Sequence, residues 1–177
     1  MRADRAFTVR FISTFTPDRL YRVYACGDQL AFVKIGGQAG VAEGVAAQFG
    51  LLGALVLAWW KKRNRNKVQQ TLAQQDQQDV ELLLTRDPKN FSIQPGQIAR
   101  ASIDPPAILG AHGRSHGSWK VEETNGTKRS FQFEELAEMR EAMQVLPRIL
   151  GAALTINVKW DEGKKRYTKA EAADKAA

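Results

Sequence analysis

Alternation of apolar and polar positions predicts β-strands near the start of the chain. Residues 20–26, LYRVYAC, send successive side chains to opposite faces, as a half-buried strand requires. The Gly27-Asp28 pair supplies a turn, and residues 29–36, QLAFVKIG, are predicted to form the returning strand. Residues 7–15, FTVRFISTF, are rich in β-forming side chains and predict a further strand before this hairpin.

The same strand character returns after residue 90. Asn125-Gly126 lies between two alternating runs and is a strong hairpin signal, because both residues tolerate positive φ. The strands predicted in this part are FSIQ (91–94), IARASID (98–104), SWKVEET (118–124), TKRSFQFE (127–134), LTINVKW (154–160) and RYT (166–168). We expect the last two to form a closing hairpin.

Helical patterns occupy the middle of the chain and the stretch before the closing hairpin. Apolar side chains recur at helical spacing in residues 134–150, which predicts an amphipathic helix. Its apolar positions are Leu136, Met139, Met143, Leu146 and Leu150. Residues 40–60 contain mostly Gly, Ala, Leu and Val without alternation, which predicts a helix of about 20 residues. Residues 66–87 are mostly good helix formers and are predicted to form either a second helix after a bend or one continuous helix.

Together these patterns predict a single α+β domain over residues 1–169. It has an antiparallel β core, a long helical insertion at 38–86 and a C-terminal amphipathic helix. The 177 residues suffice for one domain of ordinary size, and 44% apolar with 25% charged residues is typical of globular proteins. We expect residues 170–177 to be a disordered tail.

Positive charge is concentrated directly after the 40–60 run. The formal net charge is +7, and five cations stand within seven residues without an acid among them. They are Lys61, Lys62, Arg63, Arg65 and Lys67, and they follow Trp59 and Trp60. Such a cluster attracts polyanions, whether nucleic acid or an anionic lipid surface, although a solvated helix end can have the same composition.

Few residues offer candidate chemistry. His112 and His116 have a spacing that suits a metal on a helix, but the glycines and serines around them predict a loop. Arg114 in that loop could hold a phosphate or sulfate with backbone amides. The sequence contains no P-loop, serine-hydrolase or zinc-protease motif. We therefore expect no enzyme activity, metal or cofactor and identify no small-molecule substrate; an enzyme with its pocket near Arg114 is the weakest hypothesis.

Two features indicate a cytoplasmic location. Cys26 is the only cysteine, which excludes an intramolecular disulfide and fits a reducing compartment. The first residues, MRADRAFTVRFIST, contain no apolar signal-peptide core. We expect the Cys26 thiol to be packed within its strand.

The order of strands, hairpin and helix resembles a bacterial pleckstrin-homology-like or GRAM-like domain. The likeness is carried by GSWKVEETNGTKRSFQFEELAEMREAMQVL (117–146), by the preceding strand 98–104 and, more loosely, by residues 21–37 as the opening hairpin. It implies a β-barrel or sandwich with one helix, binding of phosphoinositide headgroups, peptides or proteins, and no catalysis. The basic headgroup signature of the eukaryotic lipid binders is absent, since Arg22 and Lys34 are the only cations of the hairpin, so no binding residue is carried over.

Residues 40–60 are long enough to cross a bilayer, because 21 residues form a helix of about 31 Å. Gly36, Gly40 and Gly44 form two G-x-x-x-G steps, which permit close helix packing. Three arrangements stay open for this helix: packing against its own domain or a second copy, lying on a membrane surface, or spanning the membrane. A single span would separate the first hairpin from the later strands.

These observations predict a non-enzymatic interaction module that self-associates or docks on the inner membrane surface, as a peripheral cytoplasmic protein. In the docked form the basic run would contact anionic headgroups, and Trp59 and Trp60 would lie at the interface. The alternatives are a weak, sequence-independent nucleic-acid-binding protein and a single-pass membrane protein. Nucleic acid is the less favoured partner, because aromatic and basic residues are not interleaved as in RNA-binding strands.

Overall fold

The computed structural model describes residues 5–13, 18–27, 29–37, 72, 76–106 and 115–170. Its strands are β1 (Arg5–Ile12), β2 (Arg19–Cys26), β3 (Gln29–Gly37), β4 (Phe91–Ile93), β5 (Ile98–Asp104), β6 (Gly117–Glu123), β7 (Lys128–Phe133), β8 (Leu154–Ile156), β9 (Val158–Asp161) and β10 (Arg166–Lys169). The helices described are α1 (Val80–Thr85) and α2 (Leu136–Leu150).

Eight of these strands form one mixed sheet in the order β4-β3-β2-β1-β7-β6-β5-β8. Neighbouring strands are antiparallel except β5 and β8, which run parallel. A separate two-stranded sheet contains β9 and β10. The predicted α+β class, with a mostly antiparallel sheet followed by a helix, agrees with this architecture. The sheet is not closed, since β4 and β8 are its two edges.

The inner face of the sheet is filled by aromatic rings from strands that are distant in the sheet order. The ring of Phe32 on β3 lies 5.9 Å from Trp119 on β6 and 5.2 Å from Phe131 on β7, measured between centroids. Phe7 on β1 meets Trp119 edge-on at 5.9 Å. All four rings are fully buried. Because β2, β1 and β7 lie between β3 and β6, the sheet must curl until its two halves face each other across this core.

Helix α2 covers an edge of the curled sheet that no strand pairs. β1 pairs with β7 only over Arg10–Ile12 and then extends beyond the end of β7. α2 follows β7 directly and buries Met139, Ala142 and Leu146 in the core. Pro147 lies inside the last turn without ending the helix, which continues to Leu150. The predicted amphipathic helix is thus present and begins at Leu136.

The strand predicted over residues 154–160 is broken, and the correction lies at Asn157. β8 pairs with β5, whereas β9 pairs with β10. The backbone amide of Asn157 donates to the carbonyl of Ile103 at 2.8 Å, and its side-chain amide donates to Asp104 at 2.7 Å. These bonds tie Asn157 to the end of β5, so the two halves of the predicted strand enter different sheets.

Helix α1 packs on the outer face of β2 and β3. Val80 and Leu83 of α1 join a second buried cluster with side chains from both strands. The strand members are Tyr24, Cys26, Ala31 and Val33. One continuous helix does not run through to residue 87 as one of the two predictions had it, because residues 76–78 form a turn and a bend. The side chain of Asp79 then caps the start of α1 by accepting from the amide of Glu81 at 2.9 Å.

Candidate functional site

The described residues on either side of the segment between β3 and α1 both contact β2. Gly37 at the end of β3 pairs with Arg19 of β2. The returning chain is held by Asp76, whose carboxylate lies 2.9 Å from the guanidinium of Arg22. Arg19 and Arg22 are three residues apart, about 10 Å along a strand. We call Arg19, Arg22, Gly37 and Asp76 the insertion root.

Arg22 is the central side chain of the insertion root. Its Nη2 and Nε atoms donate to the two carboxylate oxygens of Asp76 at 2.9 Å and 3.3 Å, a bidentate arrangement. Its Nη1 donates to the hydroxyl of Thr8 at 3.2 Å and lies 3.5 Å from a carboxylate oxygen of Glu138. The Arg22 side chain is only 14% exposed. One nearly buried cation therefore contacts β1, α2 and the returning end of the insertion.

Glu138 lies where α2 replaces a strand beside β1. Its carboxylate accepts the backbone amide of Thr8 at 2.7 Å, at a part of β1 that β7 does not reach. Burial raises the pKa of Glu138, although the Thr8 amide and the Arg22 charge act against this shift. Tyr24 lies on the same outward face of β2, and its hydroxyl is buried beside Asp76 and Arg22. Burial likewise raises the pKa of Tyr24.

Most cations near α2 and along the sheet are neutralised by acids from another element. Examples are Arg5 with Glu141 and Lys34 with Asp87, each at 3.0 Å. The hairpin of β9 and β10 differs, since Lys165, Arg166 and Lys169 have no ion-pair partner within the described part of the chain. This exposed hairpin is a second basic region, separate from the run at residues 61–67.

Asp104 has a structural role at the end of β5, as its position before two prolines suggests. Its carboxylate accepts bonds from Asn157 at 2.7 Å and Ser102 at 2.9 Å, and lies 3.0 Å from the ammonium of Lys120. Burial alone would raise the pKa of Asp104, but these three donors together lower it. The ionised carboxylate therefore joins β5, β6 and the corner between β8 and β9.

Most of the site residues predicted from the sequence lie outside the described part of the chain. Those outside it are Trp59, Trp60, Lys61, Lys62, Arg63, Arg65, Lys67, Gly40, Gly44, His112 and Arg114. Gly36 lies in β3 opposite Leu20, so it belongs to a strand and the first predicted glycine step does not begin in a helix. The backbone amide of His116 donates to the carbonyl of Phe133 at 2.8 Å, next to the first residue of β6. Within the described ranges, no group of three or more His, Cys, Asp or Glu residues is placed to hold a metal.

The role of Arg22 is not predicted from the sequence, although the strand pattern contains a signal for it. Arg22 shares its face of β2 with Tyr24 and Cys26, which are buried against α1. A cation in the middle of a face that is otherwise apolar needs acidic partners from elsewhere in the chain. What the pattern lacks is the identity of those partners, because Asp76 and Glu138 are far away in sequence.

Comparison with known proteins adds no family to this picture. No protein-family model matches the chain, and no curated protein matches it. None of the described helices is long and apolar enough to cross a bilayer.

Proposed function

We propose that the chain is a pleckstrin-homology-like interaction module that docks on an anionic membrane surface through residues 38–71. The fold part of the proposal is supported by strand order. β1 pairs with both β2 and β7, and α2 follows β7 and packs on the core, as the resemblance implies for a run of antiparallel strands and one helix. β8, β9 and β10 are additions to that pattern.

The observation that carries the docking proposal is the closed insertion root. The segment with both tryptophans and the five clustered cations lies between Gly37 and Asp76, and both of these residues contact β2. The two described ends of this segment therefore lie on one strand of the sheet. Within residues 38–71 the only acid is Glu43, so the segment has a net charge of +4 (five cations minus one acid) out of the +7 of the chain.

The pairing of the sheet argues against a single membrane span. β1 to β3 precede the segment and β4 and β7 follow it, yet these strands pair in one sheet. A segment that joins such strands starts and ends on the same side of a bilayer. Residues 40–60 could cross once, but the return would bring five cations through the bilayer, at about 3 kcal/mol each. Contact with one surface avoids that cost.

The expected docking energy is electrostatic with an apolar addition. Each Lys or Arg near an anionic surface contributes roughly 1 kcal/mol at low salt, and Trp side chains favour the headgroup level. Five clustered cations therefore suffice for reversible binding that weakens as salt rises. We expect a peripheral protein that neutral lipid does not retain.

Co-sedimentation with vesicles tests the proposal. The chain should pellet with vesicles of phosphatidylcholine and phosphatidylglycerol, stay in solution with phosphatidylcholine alone, and be released by salt. Lys61→Glu, Lys62→Glu and Arg63→Glu together should weaken binding at least tenfold, because three favourable charges of about 1 kcal/mol each are reversed. The matched control reverses three cations of the other basic region, Lys165→Glu, Arg166→Glu and Lys169→Glu, which have no ion-pair partner among the described residues, and should change binding less than about threefold.

Three results would oppose docking through this segment. Equal loss in both triple variants would mean that overall charge, rather than residues 61–63, governs binding. Stronger retention on duplex DNA than on anionic vesicles would favour the nucleic-acid alternative. A protein that does not bind vesicles and sediments as an oligomer in their absence would favour self-association through the glycine-rich segment.

A further inference from the structure

One cation at the insertion root serves two carboxylates that belong to different parts of the molecule. Arg22 contacts Asp76 on the returning end of the insertion and Glu138 on α2. Both contacts lie on the outer face of β2 and β1, away from the aromatic core. The N–H donors of a guanidinium lie in one fixed plane. Donors that are bonded to one carboxylate are therefore not available at the same geometry for the other.

The two contacts are unequal. Asp76 receives two donors of Arg22 at 2.9 Å and 3.3 Å. Glu138 lies 3.5 Å from the nearest guanidinium nitrogen, and its close bond, at 2.7 Å, comes from the amide of Thr8 instead. Glu138 is thus a partly buried carboxylate, and the nearby positive charge of Arg22 is bonded mainly to Asp76 instead.

We propose that Arg22 couples the insertion to α2 by exchanging partners: when Asp76 leaves, Arg22 closes on Glu138 and strengthens the attachment of α2 to β1. Arg22 is a positioning residue in this scheme, and Asp76 holds it away from α2. The coupling itself is inferred from the contacts of Arg22 with Asp76 and Glu138. Its use as a response to docking rests on the proposed function, since a surface-bound insertion would be the event that withdraws Asp76.

The exchange is favourable because Glu138 lacks a close countercharge. The groups that face its carboxylate are Arg22 from β2 and Glu135, the residue just before α2, with Thr8 as an uncharged donor from β1. Asp76 and Tyr24 face the guanidinium rather than Glu138. Shortening the contact between Arg22 and Glu138 to hydrogen-bond distance would add a charge-assisted bond where α2 meets β1.

A double-mutant cycle tests the coupling without any ligand. Glu138→Gln should lower the folding equilibrium constant about fivefold more in the Asp76→Asn background than in the wild type, because Arg22 is free to bind Glu138 only when Asp76 is neutral. Asp87→Asn is the matched control, since it removes an ion pair with Lys34 that does not touch Arg22. In that background the effect of Glu138→Gln should equal the wild-type effect. Additive effects of Asp76→Asn and Glu138→Gln would overturn the proposal.

A second measurement follows the carboxylate directly. In a carbon-detected NMR titration, the pKa of Glu138 should be lower in Asp76→Asn than in the wild type, because a closer cation favours the ionised form. Replacing Arg22 by Met in the same background should abolish that difference. A Glu138 pKa that is unchanged or higher in Asp76→Asn would contradict partner exchange.

Hydrogen exchange with anionic vesicles connects the coupling to docking. Binding to vesicles of phosphatidylcholine and phosphatidylglycerol should speed exchange at residues 76–79 and slow it in α2, and Asp76→Asn should slow α2 without vesicles. Failure to bind vesicles would refute the proposed function while the double-mutant cycle still decides the coupling. Binding without any change in α2 would refute the response to docking.

Discussion

The two faces of strand β3 are held by very different kinds of contact. Phe32 points inward and is fully buried among aromatic rings of β6 and β7. Ala31 and Val33, its neighbours along the strand, point outward and are covered by the short helix α1. The inner face is a large apolar interior shared by eight strands and α2, whereas the outer face is a small cluster beside one shared cation.

The inner face therefore stabilises the whole fold, whereas the outer face can change its contacts locally without unfolding the domain. The inner cluster contains residues from most of the sheet, so it opens only when the whole domain unfolds. The outer cluster depends on α1, which is short, and on the pairing of Arg22 with Asp76. Few contacts hold that region, and such regions open locally at lower free energy. A device that senses the insertion is therefore better placed on the outer face.

Phe32→Ala should cause the largest loss of stability. The substitution removes a ring that stacks on Phe91 at 4.5 Å and also meets Trp119 and Phe131, leaving a cavity in the middle of the core. We expect the free energy of unfolding to fall by about 3–5 kcal/mol in urea titration. A loss below about 1 kcal/mol would mean that the inner cluster is not the common core of the sheet.

Leu83→Ala should have a smaller and more local effect. Leu83 is fully buried, but its cluster is thin and α1 can relax toward solvent. We expect a loss of about 2 kcal/mol, at the low end for a buried leucine. In native-state hydrogen exchange, protection should fall in α1 and residues 76–79 while β6 and β7 keep theirs. Leu82→Ala is the control, because Leu82 is 62% exposed and its removal should leave both regions unchanged.

Strands are the part of the fold that the sequence predicts best. β5 matches its predicted range, and β2, β3 and β6 differ from theirs by about one residue, because alternation and turn residues are local signals. The failures have non-local causes. Asn157 breaks a predicted strand through bonds to Ile103 and Asp104, which no pattern within residues 154–160 contains. The parallel pairing of β8 with β5 is likewise invisible in the sequence of either strand.

The candidate site divides in the same way. The basic run with its tryptophans is a local signal and is found from composition alone. Arg22 is one cation in a strand, and its importance depends on two acids that folding brings from residues 76 and 138. A segment that could bind a partner is therefore predictable from local composition, while the contacts that attach this segment to the fold depend on residues distant in sequence.

Replacing residues 38–71 with a short linker should have the smallest effect on stability and is the sharpest test of the separation between the two faces. The two ends are anchored on β2 at Arg19 and Arg22, which lie about 10 Å apart along the strand, and a Gly/Ser linker of about six residues reaches about 20 Å. A shorter loop lowers the free-energy cost of closing the loop by about 1 kcal/mol, which offsets the loss of a few contacts. We expect the free energy of unfolding to change by less than about 1 kcal/mol in urea titration.

The same variant also discriminates between the roles of the root and the segment. With Asp76 retained, Arg22 keeps its bidentate partner, so the pKa of Glu138 should stay at its wild-type value, whereas adding Asp76→Asn should lower it. Vesicle binding should be lost in the linker variant with either residue at position 76, because the clustered cations are gone. A linker variant that fails to fold would show that residues 38–71 complete the core. The inner face alone would then not account for the stability of the fold, and the distinction drawn between the inner and outer faces would be wrong.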